Sequence, residues 1–186
     1  MQHLAAEFQD LCRVFGFAFS LYLAVNEIVG NYHCDTDYAY DDAEPSRPTD
    51  LSAVCNKLYS YCADDCKAAG ILLKNTVDKK ILAFAKPQGL ENALTNIILN
   101  AIEHAECTEI TISIKTDKNK VLLTVKDNGK GIPDGPDVFR PYISENKPDG
   151  GGLGLYICKN IIESMNGELT YSCNGGTAFT VALLKA

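Results

Sequence analysis

The 186-residue sequence lacks an excess of basic residues, because 17 lysines and arginines stand against 24 aspartates and glutamates, and the formal net charge is −7. General nucleic-acid or anionic-membrane binders need clustered Lys and Arg, so no nucleic-acid partner is expected, although a local anion site is compatible with this charge. No apolar run could cross a bilayer: the uncharged stretch 14–25 has 12 residues, whereas a spanning helix needs about 20.

Paired cysteine spacings are also missing, although the chain has eight cysteines. The closest two, Cys62 and Cys66, have helical spacing rather than a CxxC pattern. Tetrahedral zinc sites usually show paired ligands, so no zinc is predicted. The first ten residues also lack a signal-peptide pattern. We expect reduced, mostly buried cysteines in a cytoplasmic protein, and membrane-anchoring segments outside this chain are compatible with that expectation.

The pattern divides the chain into three parts. Residues 1–32 predict one long helix with the 4, 3, 4, 3 apolar spacing of a coiled-coil seam. Its further apolar faces favour a helix bundle or a homodimer, and packing on its own domain is the alternative. Residues 33–50 are acidic, contain two prolines and predict a linker. Residues 51–186 predict a second domain.

Within 51–186 the hydrophobic periodicity predicts an α+β fold, a two-layer α/β sandwich preceded by the long N-terminal helix. Thr49 or Asp50 is a plausible N-cap for the first helix, and Gly70 and Gly167 are plausible stops for the first and last helices. The predicted helices are 51–70, 87–105 and 153–166. The predicted strands are 71–77, 81–85, 109–115, 121–127, 168–173 and 178–184.

A polar stripe runs along the otherwise apolar helix 87–105. Asn92, Asn96, Asn100 and Glu103 recur at steps of four, four and three, which places them on one face. Asparagine is a mediocre helix former, so three on one face of a core helix are unusual. Neutral carbonyl oxygens suit a hard cation that keeps most of its waters, as Mg²⁺ does. A solvated amide face is the alternative.

Two glycine-rich turns follow the asparagine helix. The segment 127–133, DNGKGIP, has a carboxylate at a strand end, which can accept a hydrogen bond from an exocyclic amine, and glycines that allow close approach to the backbone. The segment 150–154, GGGLG, enters a helix, whose free N–H groups and positive end favour a phosphate. It is neither a Walker sequence nor a dinucleotide fingerprint. Each motif alone leaves a structural turn open as the alternative.

The order of these features is more specific than any one of them. An asparagine-bearing helix, DxGxG, a variable loop, GxGLGL and the final Gly-Gly-Thr follow one another. In this order, 51–186 resembles the ATP-binding catalytic domain of sensor histidine kinases, in the superfamily shared with type II topoisomerases, the heat-shock chaperone of ninety kilodaltons and MutL. The resemblance implies the Bergerat ATP-binding fold, ATP and Mg²⁺ as ligands, and a response regulator as partner.

The resemblance also implies roles for individual residues. Asn100 would ligate Mg²⁺ with Asn96 in support, and Asp127 would bind the adenine amino group. Segment 134–149 would be the ATP lid, from which Lys147 or Arg140 would reach the phosphates. The other nucleotide-binding residues implied are Gly129, Gly131, Ile132 and Thr177 near the adenine, Phe139 in the F box, and Gly150, Gly152, Leu153 and Gly154 around the phosphates.

One position in the stripe distinguishes kinases from hydrolases. Hydrolysing relatives carry a Glu one turn before the magnesium-binding Asn, where this chain has Asn96, and an amide cannot act as a general base. The resemblance therefore implies that the γ-phosphate is kept for transfer to a histidine, with Asn96 and Asn100 as the catalytic pair. An anti-sigma-factor serine kinase, which carries Glu there, and a degenerate nucleotide-binding scaffold are the alternatives.

The acceptor histidine is not evident in this chain. His3 is not followed by the acidic residue and the proline that usually follow the acceptor in the family, His33 lies at an end of the predicted linker, and His104 lies in the predicted helix 87–105. His3 is the alternative acceptor. We expect that the acceptor helix is missing, that 1–32 is the second helix of a dimerisation bundle, and that this chain is a fragment that does not autophosphorylate alone.

Overall fold

The computed structural model describes residues 44–133, 137–141 and 153–186. The long helix predicted at 1–32 lies outside the described residues, as do most of the predicted linker and lid. The helices are α1 (Leu51–Ala68), α2 (Pro87–His104) and α3 (Gly154–Ser164). The strands are β1 (Arg47–Asp50), β2 (Leu72–Asn75), β3 (Leu82–Ala85), β4 (Glu109–Asp117), β5 (Lys120–Asp127), β6 (Glu168–Cys173) and β7 (Thr177–Leu184).

The strands form a mixed five-stranded sheet in the order β2-β4-β5-β7-β6 and a two-stranded sheet of β1 and β3. Strand β2 is parallel to β4, and the other neighbours in the large sheet are antiparallel. An isolated bridge between Ala83 and Lys185 links β3 to the residue after β7. The small sheet therefore adjoins the end of β7.

Alternating side chains of the central strands make the core on one face of the large sheet. Ile110 and Ile112 on β4 are fully buried, and every second residue of β5 and β7 is buried as well. These residues and the apolar faces of all three helices belong to one hydrophobic cluster. A period of two on strands against helical stripes gives the two-layer α+β arrangement, which confirms the predicted fold class.

The ends of the helices follow from local hydrogen bonds. Asp50 caps α1 by accepting from the backbone N–H of Ser52 at 3.0 Å. The hydroxyl of Ser52, and to a lesser degree this backbone bond, hold the pKa of the Asp50 carboxyl below its usual value, since both stabilise the charged form. Gly70, with a φ of 73°, follows the end of α1, in agreement with its predicted role as the stop.

Two local details differ from the sequence prediction. Residues 47–50, assigned to the linker, form β1, because their polar, proline-containing sequence pairs with the apolar β3. After α3, Asn166 rather than Gly167 adopts the left-handed conformation, with a φ of 58°. Asn166 and Gly167 donate to the carbonyls of Glu163 and Ile162, which is a Schellman ending with Asn in the usual glycine position.

Candidate nucleotide-binding site

Helix α2 carries the asparagine stripe along one side of its buried face. Leu90, Leu94 and Ile98 on this helix are fully buried in the core. Asn96 is also buried, at 8% exposure, whereas Asn100 one turn later is partly exposed. The structure therefore separates the two asparagines: Asn96 lies against a neighbouring element, and Asn100 keeps an accessible side chain.

Asn96 lies at the contact between α2 and α3. Its Nδ2 donates to Sγ of Cys158 at 3.2 Å, and the thiol of Cys158 donates to the carbonyl oxygen of Ala93 at 3.5 Å. Complete burial raises the pKa of Cys158 to about 12, so this thiol is neutral and keeps its proton. The first asparagine of the predicted pair is thus held by a cysteine of the helix that follows the glycine-rich loop.

Gly154 is the first residue of α3 and faces the same asparagine. A Cβ added at Gly154 would lie 2.9 Å from Nδ2 of Asn96, so a side chain there would displace the amide. Leu153, the N-cap, offers no side-chain capping bond. The first N–H groups of α3 therefore have no partner within the helix and are oriented to bind an anion.

Asn100 has one of the accessible amides of the stripe. Its side chain is partly exposed and makes no hydrogen bond with the described residues. An uncommitted carbonyl oxygen on a rigid helix is a suitable ligand for a hard cation. The donor set therefore fits Mg²⁺, with Asn100 as the residue that would hold it.

Asp127 ends β5 and is 5% exposed. One carboxylate oxygen, Oδ1, accepts from the N–H groups of Gly129 at 2.8 Å and Thr177 at 3.1 Å. The other oxygen, Oδ2, makes no hydrogen bond with the described residues. Since no described side-chain oxygen is both sealed from solvent and unpartnered, Oδ2 is accessible. Asp127 therefore uses one oxygen to join two turns and presents the other as an acceptor.

Close backbone approaches explain two of the glycines around Asp127. A Cβ on Gly129 would lie 2.0 Å from the carbonyl oxygen of Ala105, just after α2. A Cβ on Gly176, which has a φ of 115°, would lie 2.1 Å from the carbonyl oxygen of Asp127. Any larger residue would push the turns apart, so these glycines hold Asp127 between the end of α2 and the β6–β7 hairpin.

The second glycine of the DxGxG turn has a conformational role. Gly131 has a φ of 76°, a left-handed conformation that favours glycine. The next residue, Ile132, is partly buried and donates its N–H to Sγ of Cys173 at 3.4 Å. Thr177 is 4% exposed and contacts Asp127 through its backbone. Gly131, Ile132 and Thr177 therefore lie around the same turn as Asp127.

Phe139 packs in an aromatic cluster with residues of β6 and β7. Its ring contacts Tyr171 and Phe179 edge-on at centroid distances of 5.7 and 6.4 Å. The ammonium of Lys159 on α3 lies 5.4 Å from the ring centroid, within cation–π range. Phe139 is buried, so the structure shows it as an anchor between α3 and the sheet. Arg140 beside it is exposed.

The remaining predicted residues lie outside the described part of the chain. These are Lys147, Gly150 and Gly152. Their assignment to the phosphate end of the site remains a prediction from the sequence. The assignment of segment 134–149 to a lid also remains a prediction, since only 137–141 of it are among the described residues.

Three contributors to the site were not found by sequence reasoning. Cys158 contacts Asn96, and Cys173 contacts the DxGxG turn. The carbonyl oxygen of Ala105 lies close against Gly129 and accepts from the N–H of Lys130. The cysteines were interpreted only as packing residues, and contacts between distant segments leave no periodic signal. Burial raises the pKa of Cys55 and of Cys62 to about 12, as expected for inert, buried thiols.

The described residues give one continuous arrangement along α2. Asn96 contacts Gly154, and nine residues later Ala105 contacts Gly129 in the Asp127 turn. The two contacts are about 14 Å apart along the helix axis. One end offers a helix N-terminus and amide oxygens, which suit phosphate and a cation, and the other offers a buried carboxylate, which suits an amine.

Among the described residues, no helix is long and apolar enough to cross a membrane.

Comparison with known proteins agrees with this chemistry. A family model described as histidine kinase-, DNA gyrase B-, and HSP90-like ATPase matches residues 85–186, more than half of the chain. The sensor histidine kinase ZraS of Salmonella typhimurium is 36% identical over 141 residues, which cover 72% of this chain and 30% of ZraS. The sensor histidine kinase CpxA of Escherichia coli is 34% identical over 45% of this chain and 20% of CpxA. The chain thus spans less than a third of the length of these relatives.

Solved structures with the same fold include a histidine kinase catalytic domain and an ATP-binding domain. The catalytic domain of the histidine kinase ThkA has a TM-score of 0.66 and 25% identity, with 75% of this chain and 95% of that chain covered. The ATP-binding domain of PrrB from Mycobacterium tuberculosis has a TM-score of 0.65 and 20% identity over 76% of this chain and 98% of that chain. With the family match, these findings show that the chain belongs to the histidine kinase-, DNA gyrase B- and HSP90-like ATPase family and contains the ATP-binding catalytic domain of a histidine kinase.

Proposed function

We propose that this chain binds Mg·ATP and transfers the γ-phosphate to a histidine on a dimerisation helix, for relay to a response regulator. The observation that carries the proposal is the placement of Asn96, Asn100 and the turn around Asp127 along α2, with the start of α3 against Asn96. The relatives are named sensor histidine kinases, which supports the choice of acceptor and of the response regulator as partner.

The adenine would be recognised at the Asp127 turn. Oδ2 accepts from the exocyclic amine, while Oδ1 stays bonded to Gly129 and Thr177 and keeps the carboxylate from turning away. A carboxylate discriminates against a purine that has a carbonyl in place of the amine, because two acceptors would then face each other. This turn would therefore set the preference for adenine over guanine.

The phosphates would be held near the middle of α2, where Asn96 lies against the start of α3. The free N–H groups at the start of α3 bind phosphate oxygens, since the helix end is positive and its donors are unpaired. Asn100, with Asn96 in support, would hold Mg²⁺, which neutralises the phosphate charge when bound. This chain's part in phosphoryl transfer is to position and stabilise, with little covalent chemistry of its own.

The absence of a carboxylate from position 96 favours transfer over hydrolysis. The amide of Asn96 cannot take a proton from water, and its Nδ2 is already engaged by Cys158. Glu91, the acid on the preceding turn, is paired with Lys57. A bound nucleotide would thus keep its γ-phosphate until an acceptor arrives.

The acceptor is tested by labelling with γ-labelled ATP in the presence of the dimerisation helices that belong with this chain. We expect a protein phosphate that is lost in acid and stable in alkali, as a phosphohistidine is. An acid-stable phosphate would instead indicate a serine or threonine acceptor. Nucleotide binding without any protein label would indicate a scaffold that does not transfer phosphate.

Dimerisation is part of the same proposal. The coiled-coil spacing within 1–32 predicts self-association, so the chain would form a homodimer through this segment. Sedimentation of the chain with and without residues 1–32 tests it. A shift from dimer to monomer on truncation is expected, and a strict monomer at high concentration in both cases would contradict it.

A further inference from the structure

The only polar residue among the buried residues of α2 is Asn96, and Cys158 on α3 is its partner. Cys158 is 1% exposed and lies four residues into α3, past the glycine-rich loop. Its role is not packing alone, because the sulfur accepts a hydrogen bond from Nδ2 of Asn96 while its own S–H bonds to the carbonyl of Ala93.

The pair of bonds fixes which polar atom of the Asn96 amide is engaged and which is left free. With Nδ2 held at Cys158, the other polar atom of Asn96, Oδ1, makes no hydrogen bond with the described residues. It is not sealed off, because no described side-chain oxygen is both inaccessible and unpartnered. Oδ1 also lies beside Gly154, at 3.3 Å from where a Cβ there would be. Both polar atoms of the amide thus lie near the start of α3, with Nδ2 the nearer at 2.9 Å, and Oδ1 is the one without a partner among the described residues.

The orientation has a chemical consequence. A carbonyl oxygen can ligate a cation or accept from its bound water, whereas an amide N–H₂ can only donate. If the amide were turned over, the free group of Asn96 would be the N–H₂, which could not serve Mg²⁺. A weak neutral hydrogen bond is enough to decide between the two orientations, because they have otherwise similar shape.

We propose that Cys158 is a positioning residue of the nucleotide site: its thiol holds Nδ2 of Asn96 in the contact between α2 and α3 and so leaves Oδ1, rather than the N–H₂ group, as the free atom offered to the site. The inference rests on the proposed function, because the orientation affects activity only where Mg·nucleotide binds. It joins the asparagine helix to the helix that follows the glycine-rich loop through one side-chain contact.

Three variants separate this role from packing. Cys158→Ser keeps a group that can both accept from Asn96 and donate to Ala93, whereas Cys158→Ala is similar in size and has neither ability. Both side chains are smaller than Cys, so neither crowds the amide. Cys62→Ala is the matched control, because Cys62 is also fully buried with a pKa raised to about 12 but lies on α1.

The first readout is the side-chain amide signal of Asn96 in a ¹H–¹⁵N spectrum, identified by its loss in Asn96→Ala. We expect this signal to move in Cys158→Ala, to stay near its wild-type position in Cys158→Ser, and to be unchanged in Cys62→Ala. An unmoved signal in Cys158→Ala overturns the proposal. If Cys158→Ala does not fold, Cys158→Ser provides the test. An Asn96 signal that moves in Cys158→Ser to the position typical of solvent-exposed amides overturns the proposal as well.

The second readout is ADP affinity by calorimetry, with Mg²⁺ and with a chelator. We expect Cys158→Ala to weaken the affinity in Mg²⁺ by about threefold to tenfold, the effect of one neutral hydrogen bond, and to leave the affinity in chelator unchanged. Cys158→Ser should recover most of the loss, and in an Asn96→Ala background Cys158→Ala should add nothing. Equal losses with and without Mg²⁺, or additive losses in the double variant, overturn the proposal.

The two readouts distinguish failure of this inference from failure of the proposed function. If the wild-type chain binds no ADP, the proposed function fails, and the amide signal still decides whether Cys158 orients Asn96. If the wild type binds ADP and all three cysteine variants bind it equally well, the proposed function stands and the role of Cys158 is wrong.

Discussion

Single residues of this site divide their polar atoms between the fold and the ligand. Asp127 uses Oδ1 to bond Gly129 and Thr177 and leaves Oδ2 open. Asn96 uses Nδ2 to bond Cys158 and leaves Oδ1 open. Such a division preorganises the free atom, because the bonded atom prevents rotation of the group before the ligand arrives.

The amide of Asn100 should matter for the metal and not for the fold. We expect Asn100→Ala to weaken ADP affinity at least tenfold in Mg²⁺ and little in chelator, since a lost cation ligand acts only when the cation is present. Thermal unfolding should be close to wild type, because Asn100 makes no side-chain bond with the described residues. Calorimetry in both buffers measures this.

Asn92→Ala provides the matched control on the same helix. The side chain of Asn92 accepts from Gln88 within α2 at 3.0 Å. Among the described residues it makes no hydrogen bond to α3 or to the Asp127 turn. Its affinity in Mg²⁺ should remain that of the wild type. An equal loss in the Asn92 and Asn100 variants would contradict a specific role of Asn100.

At the scale of elements, the ends of α2 position the site. Just after the last turn of α2, the carbonyl oxygen of Ala105 lies close against Gly129 and accepts a hydrogen bond from the N–H of Lys130. At its start, the N-cap Lys86 provides no side-chain capping bond. Instead Glu44 accepts from the N–H groups of Gln88 and Gly89, each at 3.2 Å. A residue of the predicted linker thus caps the asparagine helix.

The close approach at Gly129 predicts a large cost for any side chain. Gly129→Ala should reduce the free energy of unfolding by about 3 kcal/mol, because its Cβ would collide with backbone rather than with a flexible side chain. Gly70→Ala is the comparison: it has a φ of 73° but meets nothing within 4 Å, so only conformational strain of about 1 kcal/mol applies. Denaturant unfolding of both variants measures this, and equal losses would contradict the close-contact explanation.

The Glu44 cap predicts a smaller effect. Glu44→Ala should cost about 1 kcal/mol of stability, since it removes an acceptor and a favourable charge at a helix N-terminus. Glu168→Ala is the control, because Glu168 makes only an exposed pair with Lys120 at 3.5 Å, which is worth little. Urea unfolding at pH 7 measures both, and a Glu44 variant as stable as the Glu168 variant would rule out the cap.

Elements with a strong periodic pattern were predictable from the sequence, and contacts between distant segments were not. The bounds of β6 and nearly those of α2 follow from alternation, Pro87 and the asparagine stripe. Strand β1 was missed, because Arg-Pro-Thr-Asp resembles a turn and becomes a strand only through β3. The parallel pairing of β2 with β4 and the Cys158 bond to Asn96 likewise depend on tertiary packing, which a single sequence does not display.

At the scale of the whole molecule, an acidic chain can still bind a polyphosphate. The formal charge is −7, but the proposed phosphate end would use the first N–H groups of α3 and amide oxygens that would hold Mg²⁺, so it would need few basic side chains. The chain spans less than a third of the length of the curated relatives compared above. The acceptor histidine and the response regulator therefore belong to the proposed function.

The central claim, that this chain binds adenine nucleotide at the Asp127 turn, is tested most directly by titrating ADP with Mg²⁺ into the wild type and Asp127→Asn. In the variant, Oδ1 can still accept from Gly129 and Thr177, while an N–H₂ group replaces the acceptor Oδ2, so folding is kept and the amine is repelled. Asp117→Asn, at the exposed end of β4, is the control. We predict at least a tenfold loss of affinity for Asp127→Asn alone, whereas equal affinity of all three proteins would contradict the account.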